Sequence, residues 1–174
     1  MTLIIGGARS GKSSLAVSLG KKFLGPVTFI ATAQNLDEDM GARIQVHKFE
    51  RPNWPTIEEP VALFETIKSV PLDHLLIIDC LTLWVANLQL DGLTDNQILT
   101  ISKQVVEAIC ARQTPTIVVT NEVGLGIVPA TETGRRYRDT LGRVNAIWTG
   151  AARNSFLLIA GKAIQLSDLE ELVL

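Results

Sequence analysis

The chain has few cysteines and almost no net charge. Its 174 residues include two cysteines, Cys80 and Cys110, too few and too far apart for a disulfide framework or a zinc site. Because Cys80 follows an apolar run and Cys110 lies in a predicted helix, we expect both to be small buried hydrophobic residues. The net charge of −2 argues against a nucleic-acid-binding protein, which normally carries a basic surface.

Long hydrophobic runs are also missing. The longest apolar stretches are interrupted by Asp79 or Lys162, so none reaches the roughly 20 residues that a membrane span needs. A polar, glycine-rich stretch begins at residue 6, where the apolar part of a signal peptide would have to continue. The sequence therefore predicts a cytoplasmic protein, and its length predicts a single domain over residues 1–174.

Short apolar runs alternate with segments long enough for helices. Each run is almost continuously apolar, which is typical of strands buried on both faces. The alternation predicts an α/β fold with a mostly parallel β-sheet flanked by helices. The predicted strands are TLII (2–5), VTFIAT (27–32), LLIID (75–79), TIVVT (116–120) and SFLLIA (155–160), with AIQL (163–166) as a candidate edge strand. The predicted helices cover 36–50, 61–70, 95–113 and 131–153, besides one after the first strand.

The stretch GGARSGKS fits the phosphate-loop pattern G-x-x-x-x-G-K-[ST]. A strand precedes it and a predicted helix follows, so backbone N–H groups and the helix dipole would converge on a phosphate. We expect Lys12 to reach the β- and γ-phosphates, and Ser13 and the strand-ending Asp79 to bind Mg²⁺. This context makes a chance glycine turn the weaker interpretation. The predicted loop residues are Gly6, Gly7, Ala8, Arg9, Ser10, Gly11, Lys12 and Ser13.

Ligands of open parallel sheets bind beyond the carboxyl ends of the strands. The phosphate loop and the segments 31–34, 79–80 and 120–126 all follow predicted strands, so we expect them to converge on one site. The chain lacks the N-K-x-D and D-x-x-G motifs of signalling GTPases. A small P-loop kinase is therefore favoured over a nucleotide switch.

One of the two histidines, His47, lies in a predicted helix that also carries Arg43, with Lys48 and Arg51 close by. A structural histidine is one interpretation of this pattern. However, cations beside a histidine suit a phosphate site better than a core. A neutral imidazole is a competent nucleophile near pH 7, and its attack on the α-phosphorus of a nucleotide would expel pyrophosphate. His74 precedes a strand at its amino end, where we expect a structural role.

Four separated segments resemble one enzyme family. GGARSGKS, IATAQNLDEDMGARIQVHKFERP, TNEVGLGIVP and GRVN (142–145) resemble the bifunctional adenosylcobinamide kinase/adenosylcobinamide-phosphate guanylyltransferases of cobalamin biosynthesis. The resemblance implies a RecA-like P-loop NTPase fold and a homotrimer. It also implies that ATP or GTP phosphorylates adenosylcobinamide, and that the product accepts GMP from a GMP–histidine intermediate, giving adenosylcobinamide-GDP.

The same resemblance assigns site residues. The guanylylated histidine of the family falls on His47, and Val46 before it leaves a single candidate. The segment that follows Arg51 is about one residue shorter than the family pattern. The glutamate that contacts the nucleotide in the family could therefore correspond to Glu58 or to Glu59, and Glu58 is the assignment made. The implied nucleotide contacts beyond the phosphate loop are Ala31, Thr32, Ala33, Lys48, Phe49, Glu50, Arg51, Glu58 and Asp79.

Asn121 and Glu122 follow a predicted strand, where they could position the acceptor or a metal-bound water. A tight glycine-rich connection is the alternative interpretation of TNEVGLGIVP. In the basic segment GRRYRDTLGRVN, Arg135, Arg136 and Arg138 cannot all point in one direction. A solvated helix face is the simple explanation, and contact with phosphate or a neighbouring subunit is the other.

Two other functions fit parts of the sequence. In a monofunctional small-metabolite kinase, His47 would bind a ligand without forming a covalent intermediate. A nucleotide-gated interaction module would bind GTP and transfer nothing to cobinamide. The candidate nucleophile and the missing guanine-reading motif both favour the bifunctional enzyme over this module.

Overall fold

A computed structural model describes residues 1–34 and 51–168 of the chain. Strands and helices alternate along most of this part. The strands are β1 (Thr2–Gly6), β2 (Val27–Ala31), β3 (Thr56–Glu58), β4 (Leu75–Asp79), β5 (Thr116–Asn121), β6 (Asn154–Ile159) and β7 (Lys162–Leu166). The helices are α1 (Lys12–Lys21), α2 (Leu63–Ser69), α3 (Leu81–Leu90), α4 (Asp95–Cys110) and α5 (Glu132–Ala151).

The strands form one sheet of seven in the order β3-β2-β4-β5-β1-β6-β7. Every pairing is parallel except that of β6 with β7. The predicted α/β fold with a mostly parallel sheet is therefore confirmed, and so is the predicted edge strand near the end of the chain.

Side chains of the central strands alternate between two cores. Leu76 and Ile78 of β4 pack in one core with residues of α2, α3, α4 and α5, while Ile77 packs in the other with residues of α1. All three side chains are fully buried. Burial on both faces explains why these strands are continuously apolar in the sequence.

Two elements were absent from the sequence prediction. Strand β3 has three residues, none fully buried, and lies at the edge of the sheet. Helix α3 begins two residues after β4 ends. Six of its ten residues are buried. Its sequence, LTLWVANLQL, is accordingly apolar on most sides of the helix. Trp84 of α3 meets Trp148 of α5 edge to face, with ring centroids 6.4 Å apart.

The predicted helices 61–70, 95–113 and 131–153 correspond to α2, α4 and α5, with shorter bounds. The predicted helix 36–50 lies outside the described residues. The expectation of two buried cysteines was wrong for Cys110, which is exposed at the end of α4 while its neighbour Ile109 faces the core, and Cys80 is only partly buried. Within residues 1–34 and 51–168, no helix combines the length and apolarity needed to cross a membrane.

Candidate nucleotide-binding site

The four segments predicted to converge lie together at the carboxyl edge of the sheet. Gly6 pairs with Asn121, and Ala31 pairs with Asp79, in parallel register. The backbone N–H of Glu122 donates to the Gly6 carbonyl at 3.1 Å. The strand ends that carry these segments are therefore fixed relative to one another by backbone hydrogen bonds.

The phosphate loop joins β1 to α1 in a conformation that needs its glycines. Gly11, the residue before α1, has a φ of 96°, in the left-handed region that glycine adopts without steric cost. A Cβ atom on Gly6 would collide with the backbone carbonyl of Leu158 in β6. From the other side, the N–H of Gly161 in the β6–β7 turn donates to the Ser10 carbonyl at 3.0 Å. The loop therefore packs closely against β6 and is held by this hydrogen bond from the β6–β7 turn.

Lys12 is a buried cation within this loop. Its Nζ donates to the Gly7 carbonyl at 2.5 Å and to Ser10 Oγ at 3.4 Å. Burial lowers the pKa of Lys12, and the neighbouring Cys80 and Asp79 partly oppose that fall. A desolvated ammonium group of this kind interacts strongly with an anion, because the local dielectric screens it less than water does.

Asp79 ends β4 and is joined to Cys80 by a cis peptide bond. Thr32 supports this junction. Its hydroxyl donates to the Cys80 carbonyl at 2.7 Å and accepts from the Cys80 N–H at 2.8 Å, and its own N–H donates to the Asp79 carbonyl. Its carbonyl accepts from Asn87 Nδ2 at 2.9 Å. Because Thr32 is fully buried and its polar groups bond to protein, it orients Asp79 and Cys80.

Arg51 lies on the same edge. Its guanidinium carbon is 3.9 Å from the centroid of the Phe29 ring, a cation–π geometry. Burial lowers the pKa of Arg51, while the nearby carboxylates of Asp79 and Glu58 raise it. The site thus carries two partly desolvated cations, Lys12 and Arg51, with acidic groups among them.

The two adjacent glutamates have different surroundings. Glu58 is the last residue of β3 and pairs with Ala31, and its charge acts on Arg51. The Glu59 carboxylate instead accepts hydrogen bonds from the N–H groups of Val61 and Ala62, at 2.9 and 2.7 Å, just before α2. These contacts favour Glu58 over Glu59 as the residue that faces the site.

A buried hydrogen-bond network holds the end of β5, and sequence reasoning assigned it no role. Asn145 of α5 accepts from the Thr120 hydroxyl at 2.8 Å and donates to the Asn121 carbonyl at 3.0 Å. The Asn121 N–H donates to Thr82 Oγ1 at 2.7 Å. The available signal was the polar character of Thr82 and Asn145 within apolar surroundings, since buried polar groups are almost always bonded.

The remaining predicted site residues divide into two groups. Ala31 and Ala33 are partly exposed where β2 ends, and Asn121 and Glu122 are partly exposed where β5 ends. The second group lies outside the described residues and consists of His47, Lys48, Phe49 and Glu50. Arg43 and Val46 also lie outside them.

The other basic and histidine residues bond elsewhere. Arg135 donates to backbone carbonyls, Arg136 contacts Asp95, and Arg138 contacts Asp139, so the three point in different directions as expected. At the amino end of β4, His74 Nδ1 lies 2.7 Å from Thr28 Oγ1, in keeping with a structural role.

The sheet carries a G-x-x-x-x-G-K-S loop at its carboxyl edge, and an aspartate ends a strand at the same edge. This arrangement defines a P-loop nucleotide-binding protein.

Solved structures share the fold. A Pyrococcus horikoshii OT3 protein matches with a TM-score of 0.57 and 9% identity, over 95% of this chain and 84% of its own. An ATPase from the type III secretion system of pathogenic bacteria matches with a TM-score of 0.56 and 11% identity, over 98% of this chain and 59% of its own.

The chain belongs to the cobinamide kinase/cobinamide phosphate guanyltransferase family, whose model matches residues 2–166. It is 46% identical over 144 residues to the bifunctional adenosylcobalamin biosynthesis protein CobP of Pseudomonas aeruginosa, covering 80% of this chain and 82% of that protein. It is 36% identical over 181 residues to the bifunctional adenosylcobalamin biosynthesis protein CobU of Escherichia coli, covering 95% and 99%. The predicted family is therefore confirmed, and with it an enzyme of the bifunctional kinase and guanylyltransferase class.

Proposed function

We propose that this protein phosphorylates adenosylcobinamide and then transfers GMP from GTP to adenosylcobinamide phosphate, through a GMP–His47 intermediate. The observation that carries the proposal is the phosphate loop with its buried Lys12, placed beside Asp79 and Arg51 in a chain of this family. The monofunctional kinase remains an outcome of the experiment below.

The proposed chemistry consists of three displacements at phosphorus. The substrate hydroxyl attacks the γ-phosphorus of a nucleoside triphosphate, so an O–P bond forms, the nucleoside diphosphate leaves and the hydroxyl proton is released. A nitrogen of His47 attacks the α-phosphorus of GTP, and pyrophosphate leaves. A phosphate oxygen of adenosylcobinamide phosphate then attacks the same phosphorus, the N–P bond breaks, and the imidazole is regenerated.

The described residues would bind and orient the nucleotide in these steps. Backbone N–H groups of the phosphate loop and the Lys12 ammonium would donate to the β- and γ-phosphates. Arg51, held over Phe29 at 3.9 Å, would donate to a further phosphate oxygen. Glu58 and the alanines that end β2 would contact the remainder of the nucleotide, and Asn121 and Glu122 would position the acceptor.

Ser13 and Asp79 fit a magnesium ion, because both offer the hard oxygen ligands that Mg²⁺ prefers and the ion usually takes its other ligands from water and phosphate. Within the described ranges, no three acidic, histidine or cysteine side chains cluster as a metal cage. When bound, the ion would neutralise charge on the phosphates. We extend the proposal to a single-domain cytoplasmic enzyme that assembles as a homotrimer.

The two histidines of the chain provide a matched experiment. Wild-type protein incubated with α-labelled GTP should acquire covalent label that is lost in acid and retained in alkali, as expected for a phosphoramidate. His47→Ala should abolish the label. His74→Ala is the control, since it removes only a hydrogen bond to Thr28 and should label normally.

Label that persists in His47→Ala would overturn the assignment of the nucleophile. A wild-type protein that phosphorylates adenosylcobinamide but never acquires label would instead identify a monofunctional kinase.

A further inference from the structure

The loop that connects β5 to α5 carries three exposed apolar residues. Leu125, Ile127 and Val128, which we call the apolar apex, are 84%, 98% and 62% exposed. No charged residue occurs between Val123 and Ala130. Three large apolar side chains exposed side by side on one loop are unfavourable in water, and such patches mark binding surfaces more often than isolated exposed residues do.

Both ends of this loop are fixed. At its start, the Glu122 N–H donates to Gly6 of the phosphate loop at 3.1 Å, and the Glu122 carboxylate accepts from the N–H of Gly124. At its end, the Arg135 guanidinium donates to the carbonyls of Pro129 and Ala130 at 3.0 and 2.8 Å. The apolar apex is therefore presented by an anchored loop that begins against the phosphate loop itself.

The position of the apex distinguishes it from two other exposed leucines. Leu24 and Leu72 precede β2 and β4, so they lie at the amino edge of the sheet, away from the phosphate loop. The apex follows β5 and lies at the carboxyl edge, where a substrate must approach the nucleotide.

We propose that the apolar apex binds the corrin macrocycle of the substrate, an inference that rests on the proposed function. For the transfer, the hydroxyl or phosphate at the end of the substrate's side arm must reach the phosphate loop. The macrocycle is too bulky to enter that loop, so it must rest on a neighbouring surface. Its rim carries methyl groups between its amide side chains, and an uncharged apolar surface of leucine, isoleucine and valine side chains complements those methyl groups.

The experiment compares wild-type protein with Leu125→Ser/Ile127→Ser. Steady-state kinase assays with varied adenosylcobinamide should show a KM for adenosylcobinamide raised about ten-fold or more, with a much smaller change in the KM for the nucleotide. Leu72→Ser, 69% exposed at the opposite edge, is the matched control and should leave both values unchanged. Light scattering records the oligomeric state of each protein.

A KM for adenosylcobinamide within two-fold of wild type would overturn the inference. So would a raised KM that accompanies loss of self-association, because the apex would then contact a second copy of the chain. Failure of the proposed function is distinguishable, since wild-type protein would then neither phosphorylate adenosylcobinamide nor acquire label from GTP.

Discussion

The side chain of Thr32 forms two hydrogen bonds with the backbone of Cys80, one to its carbonyl at 2.7 Å and one from its N–H at 2.8 Å. A single hydroxyl thus satisfies both backbone groups of the residue that follows Asp79. The end of β2 thereby fixes the backbone at the junction between β4 and α3.

Thr32→Val should therefore lower the free energy of unfolding by about 1–3 kcal/mol, because the Cys80 N–H loses its partner and the Cys80 carbonyl keeps only the Trp84 N–H, at 3.2 Å. Thr32→Ser keeps the hydroxyl and should lose only about 1 kcal/mol through the missing methyl group. Urea denaturation measures both values. Equal losses in the two variants would show that the methyl group, and not the hydroxyl, stabilises the junction.

Lys12→Ala should weaken binding of a nucleoside triphosphate by about 10- to 100-fold, because a charge-assisted hydrogen bond to phosphate contributes about 1.5–3 kcal/mol. Isothermal titration calorimetry measures the dissociation constant. Lys103→Ala removes an exposed lysine from α4 and serves as the control for net charge. If both variants bound the nucleotide as tightly as wild type, Lys12 would have no part in phosphate binding.

Gly6→Ala should lower the free energy of unfolding by about 1–3 kcal/mol or more, because the added Cβ collides with the Leu158 carbonyl. It should also weaken nucleotide binding, since the phosphate loop must shift. Gly142→Ala in α5 meets no atom within 4 Å and should stabilise the protein by about 0.5–1 kcal/mol. If Gly6→Ala and Gly142→Ala changed the free energy of unfolding in the same direction, this explanation would be contradicted.

The two cysteines should react differently with a thiol reagent. Burial raises the pKa of the Cys80 thiol to about 12, with a further contribution from Asp79, whereas Cys110 is exposed. Because the thiolate is the reactive form, one thiol per chain should react rapidly with Ellman's reagent at pH 8. Cys110→Ser should abolish that fast phase, and unfolding the wild-type protein should release two reactive thiols.

The Cys80 pKa also predicts a pH dependence of stability. Between the ordinary thiol value of 9.0 and about 12, the folded protein keeps a proton that the unfolded chain has lost. The contribution to the free energy of unfolding is therefore fully present below pH 9 and is lost as pH rises towards 12. In Cys80→Ala the free energy of unfolding should decline less steeply over this range than in wild type. If the two proteins declined equally, other titrating groups would be responsible for the decline.

Sequence patterns predicted most of the sheet because its central strands are buried on both faces and consequently lack polar interruptions. They missed α3 for the same reason, since a helix such as LTLWVANLQL with six buried residues has no polar face to reveal its period. They also missed β3, whose three residues, Thr56–Glu58, carry too little apolar signal to stand out.

The sequence by itself determined the phosphate loop, since the spacing of Gly6, Gly11 and Lys12 follows from local backbone geometry, and it determined the family. Only the tertiary structure decided which side chains surround that loop. Glu58 and Glu59 are adjacent in sequence, yet the charge of Glu58 acts on Arg51, whereas the Glu59 carboxylate accepts from the N–H groups of Val61 and Ala62 before α2 begins. Which side chains surround the loop depends on which strand ends meet across the sheet. Hydrogen bonds between residues far apart in the chain, such as Thr32 and Cys80, hold those strand ends in place.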